Sequence, residues 1–222
     1  DISIDEASYF GDFDGDGVRT CEPLLAGRYL CDAIGKRTSS ILGLSLIYQN
    51  LDNAVRPTRG SRALLSLDFA GLGGSTRYVR LTGNGARYWN LGSGWIFSAT
   101  GEAGIIKGLK DRGAGTDSVL LTDRFFLGEP QIRGFDIRGV GPRVIRRFYE
   151  QNANGYVTDA NGNGVLLPLT SDSVADDSLG GKAYYLGKLE LEIPLSSGAR
   201  ELGLRPSVFL DAGSVFNVAR PT

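Results

Sequence analysis

Apolar side chains recur at every second position in six stretches of this chain, and this spacing constrains the fold more than any other feature. A period of two places successive side chains on opposite faces of a β-strand, whereas an α-helix repeats about every 3.6 residues. Each stretch runs for roughly ten residues or more, the length at which a tilted strand crosses a bilayer. The alternating apolar sets begin at Leu42, Ala63, Val79, Trp95, Ala183 and Val208. The pattern predicts an all-β protein.

The connections between these stretches are uneven in length. Two are tight turns, two span roughly ten residues, and the segment 109–181 is far longer than an ordinary loop. Transmembrane β-barrels have short turns on the periplasmic side and long loops outside. With 109–181 outside, the alternation of sides along the chain also places residues 1–38 outside and 51–60 in the periplasm. The alternation of short and long connections therefore favours an antiparallel transmembrane barrel.

The composition excludes several classes of function. The chain has 24 Lys and Arg against 25 Asp and Glu, so it lacks the basic surface typical of nucleic-acid-binding proteins. It contains no His, the commonest general base and metal ligand. No run approaches about 18 consecutive apolar residues, which excludes a transmembrane helix. We expect neither an enzyme nor a protein with a soluble cofactor, and no nucleic-acid partner.

The number and the regularity of the strands set two further expectations. Six strands are too few to close a membrane barrel, which needs at least about eight, and the chain contains no Met. We therefore expect the sequence to be a piece of a longer chain. The alternation of the third stretch slips across Gly83, Asn84 and Gly85, where we expect a β-bulge.

Four motifs follow one another along the chain. Residues 131–135 read Gln-Ile-Arg-Gly-Phe, and residues 52–60 read Asp-Asn-Ala-Val-Arg-Pro-Thr-Arg-Gly. Residues 180–194 open with Gly-Gly-Lys and end with Glu-Ile-Pro, and residues 208–216 read Val-Phe-Leu-Asp-Ala-Gly-Ser-Val-Phe. In this order they closely resemble the BamA-type outer-membrane assembly family, over nearly the whole chain.

The resemblance implies a fold and its divisions. Residues 1–222 would form about six or seven strands of one barrel domain of about 16 strands. Residues 1–38 would be an extracellular loop region with a cysteine pair, and 109–181 a long loop that folds into the barrel lumen. Periplasmic repeat domains and the other strands would lie outside this sequence.

The resemblance also implies that the long loop is fixed to the barrel wall by an ionic contact, which we call the loop lock. In the family, the arginine of the loop motif meets acidic residues on the inner barrel wall. The motif here is Ile132, Arg133, Gly134 and Phe135, and the wall positions that match are Glu190, Phe209 and Asp211. The alternation independently places Glu190 and Asp211 on the lumenal face, one strand apart.

The chemistry of the lock follows from these residue types. A guanidinium between two carboxylates forms charge-assisted hydrogen bonds, and Phe209 could stack under it. We expect Gly134 to let the backbone turn closely against the wall. We expect Phe135 to supply apolar packing.

The function implied by the resemblance is the folding and insertion of β-barrel proteins into the outer membrane of a Gram-negative bacterium. The implied partners are outer-membrane lipid and lipopolysaccharide, unfolded barrel clients, and assembly-machinery lipoproteins bound through the periplasmic domains. The periplasmic turn of the family is matched by Asp52, Asn53, Pro57 and Gly60. Alternatives are a two-partner secretion or TamA-like translocation barrel, a passive porin and a soluble β-sandwich binding module.

Two features of residues 1–38 suggest further sites. Asp12, Asp14 and Asp16 begin like a calcium-binding loop, but the twelfth position is Pro23 instead of Glu, which favours ordinary exposed turns. Cys21 and Cys31 lie close in sequence. Outside the cytosol a disulfide is favoured over free thiols or a shared metal, so we expect these two cysteines to be bonded.

Overall fold

The computed structural model describes most of the chain, with gaps near both ends, within the longest loop and between residues 195 and 204. It describes residues 10–11, 20–21, 31, 37–112, 116–148, 150–152, 155–161, 164–168, 170, 174–195 and 204–218.

Six long strands form one antiparallel sheet, in which each strand pairs with the next along the chain. They are β1 (Ser39–Leu51), β2 (Gly60–Gly74), β3 (Tyr78–Gly92), β4 (Trp95–Gly108), β5 (Ala183–Glu192) and β6 (Ser207–Phe216). The fold class and the six strands predicted from the alternation are confirmed. The sheet is open in this structure, with β1 and β6 at its edges. No helix in the described part of the chain is long and apolar enough to span a membrane.

The two faces of the sheet differ in chemistry, as the alternation predicts. On β1, Leu44 and Leu46 are 71 % and 70 % exposed, and they lie opposite Leu67 and Leu65 of β2 on one face of the sheet. On β6, Leu210 shares this outward face. The opposite face carries polar pairs such as Arg80 with Asp68, whose side chains are 3.1 Å apart. A bilayer-facing sheet needs this division, with apolar side chains outside and polar ones towards the lumen.

The expected bulge at Gly83–Gly85 is wrong. Both glycines stay in register with β2, opposite Leu65 and Ala63, and with β4 on the other side. The alternation only seems to slip because the outward positions there are Gly83, Gly85 and Arg87, which lack apolar side chains. The irregular pairings lie elsewhere, between Asn90 and Gly92 and at the start of β1.

The segment between β4 and β5 packs against the inner face of the sheet and forms the buried core with it. It contains a short 3₁₀ turn, Leu121–Asp123, and an antiparallel pair of strands, Arg143–Arg147 with Val174–Ser178. One core cluster contains Ala70, Tyr78, Ile106 and Val119, with Phe125 against it. The other contains Leu127, Ile132, Leu186 and Val215, with Val140 and Tyr184 against it.

The first part of the chain contains the expected disulfide. Cys21 and Cys31 are bonded, with their Cα atoms 5.5 Å apart, so this prediction is confirmed. Cys21 belongs to a short strand that pairs with Phe10–Gly11. The calcium-loop candidates Asp12, Asp14 and Asp16 lie outside the described residues.

Candidate functional site

Arg133 binds the inner wall of the sheet through two carboxylates. Its Nε and Nη2 donate to the two oxygens of Asp211 at 2.8 Å each, a bidentate geometry. Its Nη1 donates to Glu190 at 3.2 Å, and its backbone N–H also donates to Asp211, at 3.2 Å. The structure therefore brings together the arginine and both acidic residues that the sequence had singled out.

The register of β5 and β6 sets the shape of this site. Glu190 lies opposite Phe209, and Lys188 lies opposite Asp211, so the two carboxylates are diagonal neighbours on one face. The Phe209 ring lies under the guanidinium, with the Cζ atom of Arg133 3.5 Å from the ring centroid. A cation over an aromatic face gains further attraction. One side chain of the loop thus contacts two adjacent strands.

The two carboxylates differ in burial. The Asp211 side chain is 3 % exposed, whereas those of Arg133 and Glu190 are 34 % and 39 % exposed. Water weakens the contact to Glu190, while the contact to Asp211 is shielded. The hydrogen bond to Asp211 is also the main reason that the pKa of Arg133 is raised above its ordinary value. Asp211 is therefore the principal partner.

The neighbours of Arg133 depart from two expectations. Phe135 is 47 % exposed, and the apolar packing expected of it is supplied by Ile132, which is 2 % exposed within the second core cluster. Gly134 has a φ of 83°, which favours glycine, but an added Cβ there would meet no atom within 4 Å. Backbone conformation explains this glycine, and close approach to the wall does not.

The motif at residues 52–60 forms a turn organised by Asp52. Its carboxylate accepts hydrogen bonds from the backbone of Thr58 and Arg59 and, at 2.6 Å, from the Thr58 hydroxyl. These bonds lower the pKa of Asp52 to about 2. Asn53 accepts from two further backbone N–H groups, and Gly60 has a φ of 108°. The half-buried Pro57 precedes Thr58, so each singled-out position lies in this turn.

A buried ion cluster forms between Asp117, Arg124 and Lys182, and the sequence did not predict it. Its members are isolated charged residues in an irregular segment, and no period or motif marks Asp117 or Arg124. Lys182 lies in one of the four motifs, but the motif does not indicate its partner. A hydrogen bond between Tyr184 and Glu102 on the inner wall was missed as well, because the alternation gives the face of each side chain but not its partner on the next strand.

The described residues offer no evident metal site. Among them, no three His, Cys, Asp or Glu side chains come together in a way that could hold an ion. In the long loop, Asp159 accepts a hydrogen bond from the backbone of Asn161 at 2.8 Å, as in an ordinary Asx turn.

Comparison with known proteins identifies relatives over most of the chain. The Omp85 superfamily domain matches residues 10–222. The outer membrane protein assembly factor BamA of Neorickettsia risticii is 28 % identical over 185 residues, which are 83 % of this chain and 20 % of that protein. The human sorting and assembly machinery component 50 homolog is 26 % identical over 191 residues, 83 % of this chain and 33 % of that protein.

A solved structure shows the same similarity. BamA from Haemophilus ducreyi lacking POTRA domains 1–3 superposes with a TM-score of 0.58 and 26 % identity. The match covers 80 % of this chain and 30 % of that one. The chain therefore spans about a fifth to a third of the length of these relatives.

Proposed function

The chain belongs to the Omp85 superfamily, and from this premise we propose that it is part of an outer-membrane assembly factor that folds and inserts β-barrel proteins. The observation that carries the proposal is the contact of Arg133 with Asp211 and Glu190, which fixes the tip of the long loop to the inner wall. The relatives named for membrane-protein assembly support the same function.

The role of Arg133 is to brace the barrel. Because its guanidinium bonds to β6 through Asp211 and to β5 through Glu190, it opposes sliding and splaying of these two strands. The same contact keeps the loop tip inside the lumen. This role is architectural, and no enzymatic step or soluble cofactor takes part in it.

The proposed orientation follows from the two kinds of connection. Residues 109–181 enter the barrel from the extracellular side, residues 1–38 lie on that side, and the turn at 52–60 lies in the periplasm. The proposed location is the outer membrane of a Gram-negative bacterium, supported by the two bacterial BamA relatives. The proposed partners are lipid and lipopolysaccharide around the outward face, unfolded barrel clients, and lipoproteins that bind periplasmic domains beyond this sequence.

The test is client folding by the full-length protein in liposomes. An unfolded outer-membrane barrel is added, and its folded fraction is measured by the heat-dependent shift of its gel band. We expect the wild type to accelerate folding, Arg133→Glu to lose most of this acceleration, and the exposed-pair control Arg143→Gln to keep it. Client folding that is unchanged in Arg133→Glu would contradict the role of the loop lock. Ion conductance without any client folding by the wild type would favour a porin or a secretion barrel.

A further inference from the structure

The base of the long loop is closed by a second, more deeply buried set of charges. Asp117 lies 3.2 Å from the ammonium nitrogen of Lys182 and 3.5 Å from Nη2 of Arg124. The side chains of Asp117 and Arg124 are each 2 % exposed, and that of Lys182 is 17 % exposed. Charges this far from water are stable only when they are paired and hydrogen-bonded.

Arg124 joins the two ends of the loop. Its Nε donates to the carbonyl of Val119 near the beginning, and its Nη1 donates at 3.1 Å to the carbonyl of Leu179 near the end. Asp117 in turn accepts from the backbone N–H of Val119 at 3.1 Å. One guanidinium therefore connects segments that are 55 residues apart in the chain.

Backbone hydrogen bonds close the same place. Phe125 and Gly181 exchange two N–H···O bonds of 2.9 Å each, and the N–H of Ile106 on β4 donates to Lys182 at 2.8 Å. We call residues 117–125 and 179–182 together the neck of the loop. An added Cβ at Gly180 would lie 2.5 Å from the carbonyl of Phe125, so the neck segments are in close contact.

The neck and the Arg133 tip are anchors of different kinds. The neck combines buried charges with paired backbone bonds, whereas the tip combines the Arg133 contact with the buried side chains of Leu127 and Ile132, which pack against Leu186 and Val215 of the wall. A closed neck also shortens the flexible segment that leads to Arg133. This segment is about 8 residues long when it starts at Phe125, and about 25 residues long when it starts at Gly108. By the logarithmic loop-closure law, this difference favours tip binding about fivefold.

We propose that the neck is a second anchor of the long loop, which holds the loop on β4 and β5 and thereby favours the contact of Arg133 with the wall. Asp117, Arg124 and Lys182 are positioning residues that act on Arg133 by holding the neck. The coupling is reciprocal, so a bound tip favours neck closure by the same factor of about five. This inference goes beyond the proposed function and does not rest on it, since it concerns the loop in the absence of any client.

The test is hydrogen exchange of the full-length protein in detergent micelles, read by mass spectrometry. The neck is followed through the amides of Phe125 and Gly181, and the tip through those of Ile132 and Val140, which bond within the loop. We expect Arg133→Ala to accelerate exchange mainly at the tip, and at the neck by no more than about fivefold. We expect Asp117→Asn to accelerate the neck by roughly 100-fold, the order for breaking a buried pair, and the tip by about fivefold.

Two further variants keep the test decisive. Lys182→Met removes the most exposed charge of the cluster, so it should accelerate exchange at the neck even where Asp117→Asn fails to fold. Lys182→Arg preserves the cation, so its neck should exchange at the wild-type rate. Arg143→Gln removes an arginine that bonds to Asp176 and to the carbonyl of Arg138, and it leaves the exchange of the neck and of Ile132 unchanged. Equal loosening of neck and tip by Arg133→Ala would overturn the proposal. A neck that remains protected in Lys182→Met would overturn it as well.

Discussion

Asp211 is the residue on which the tip site depends most. It accepts three hydrogen bonds from Arg133 and is almost fully buried, so its charge has little water to compensate for a lost partner. Glu190 remains partly hydrated and tolerates the loss of Arg133 better. The two carboxylates look equivalent in the sequence, and their burial makes them unequal.

Removing the guanidinium should therefore destabilise the barrel. We expect Arg133→Ala to lower the free energy of unfolding by about 3 kcal/mol, since Asp211 is left as an unpaired buried charge. Arg133→Lys should recover part of this loss, because an ammonium cannot make the bidentate contact. Urea titration of the heat-resistant folded band in micelles measures both, and Arg143→Ala serves as the control for an exposed pair. An Arg133→Ala variant as stable as the control would refute the assignment.

A charge reversal isolates the contact itself. Arg133→Glu and Asp211→Arg each place like charges together, whereas the double variant restores an opposite pair. We expect the double variant to be more stable than the sum of the two single effects predicts, as measured by the same titration. Simple additivity would mean that the two side chains do not interact.

Asp52 should make its turn sensitive to acid. Its pKa is about 2 in the folded turn, below the ordinary 3.8, so its contribution is complete above about pH 4 and is lost as the pH falls through 2. The Thr58 and Arg59 amides that it binds should therefore shift in NMR spectra over this range. The Val55 amide bound to the uncharged Asn53 is the internal control, since its acceptor does not titrate. Parallel shifts of all three amides would contradict this explanation.

At the scale of elements, the strands and their inner faces could be predicted from the sequence because side-chain direction in a strand follows a fixed period. That period placed Glu190 and Asp211 on one face. The period led to a wrong prediction at Gly83 and Gly85, because these outward positions have no side chain and so contribute nothing to the alternation.

The long loop could not be predicted in the same way. Lys182 and Asp117 lie 65 residues apart in an irregular segment, and their contact arises only when the loop folds back onto the sheet. The exchange of roles between Ile132 and Phe135 has the same origin, since tertiary packing decides which apolar residue of the motif is buried.

The close packing of loop and wall predicts the effect of adding a methyl group to β4. An added Cβ at Gly104 would lie 2.5 Å from the Tyr184 ring and 3.0 Å from Phe125. We expect Gly104→Ala to destabilise the barrel by about 1–3 kcal/mol, because both rings must move. Gly101→Ala on the same strand is the matched control, since nothing lies within 4 Å of its added Cβ. Equal denaturation midpoints for the two variants would show that the loop does not pack against β4 in this way.

On the scale of the whole molecule, the sheet separates two environments. The loop and the polar pairs cover its inner face, while large apolar side chains remain exposed across its outer face. A soluble β-sandwich would bury such a face against a second sheet, and the described residues form no second sheet of comparable size. The exposed face is therefore stable only against lipid or detergent.

Adjacent residues at the middle of β2 test this division most directly. Leu67 points outward and Ser66 points inward, where its hydroxyl lies 3.0 Å from that of Ser45. We expect Leu67→Lys to lower the free energy of unfolding in lipid bilayers by about 2–4 kcal/mol, the cost of a cation at the bilayer midplane. Ser66→Lys places the same charge in the polar lumen and should change stability by less than about 0.5 kcal/mol. The reverse order of the two effects, measured by denaturant titration in liposomes, would mean that the lipid-facing and lumenal faces have been exchanged. Because a shift of one residue exchanges the faces of every strand, the pair also tests the placement of Arg133, whose partners must face the lumen.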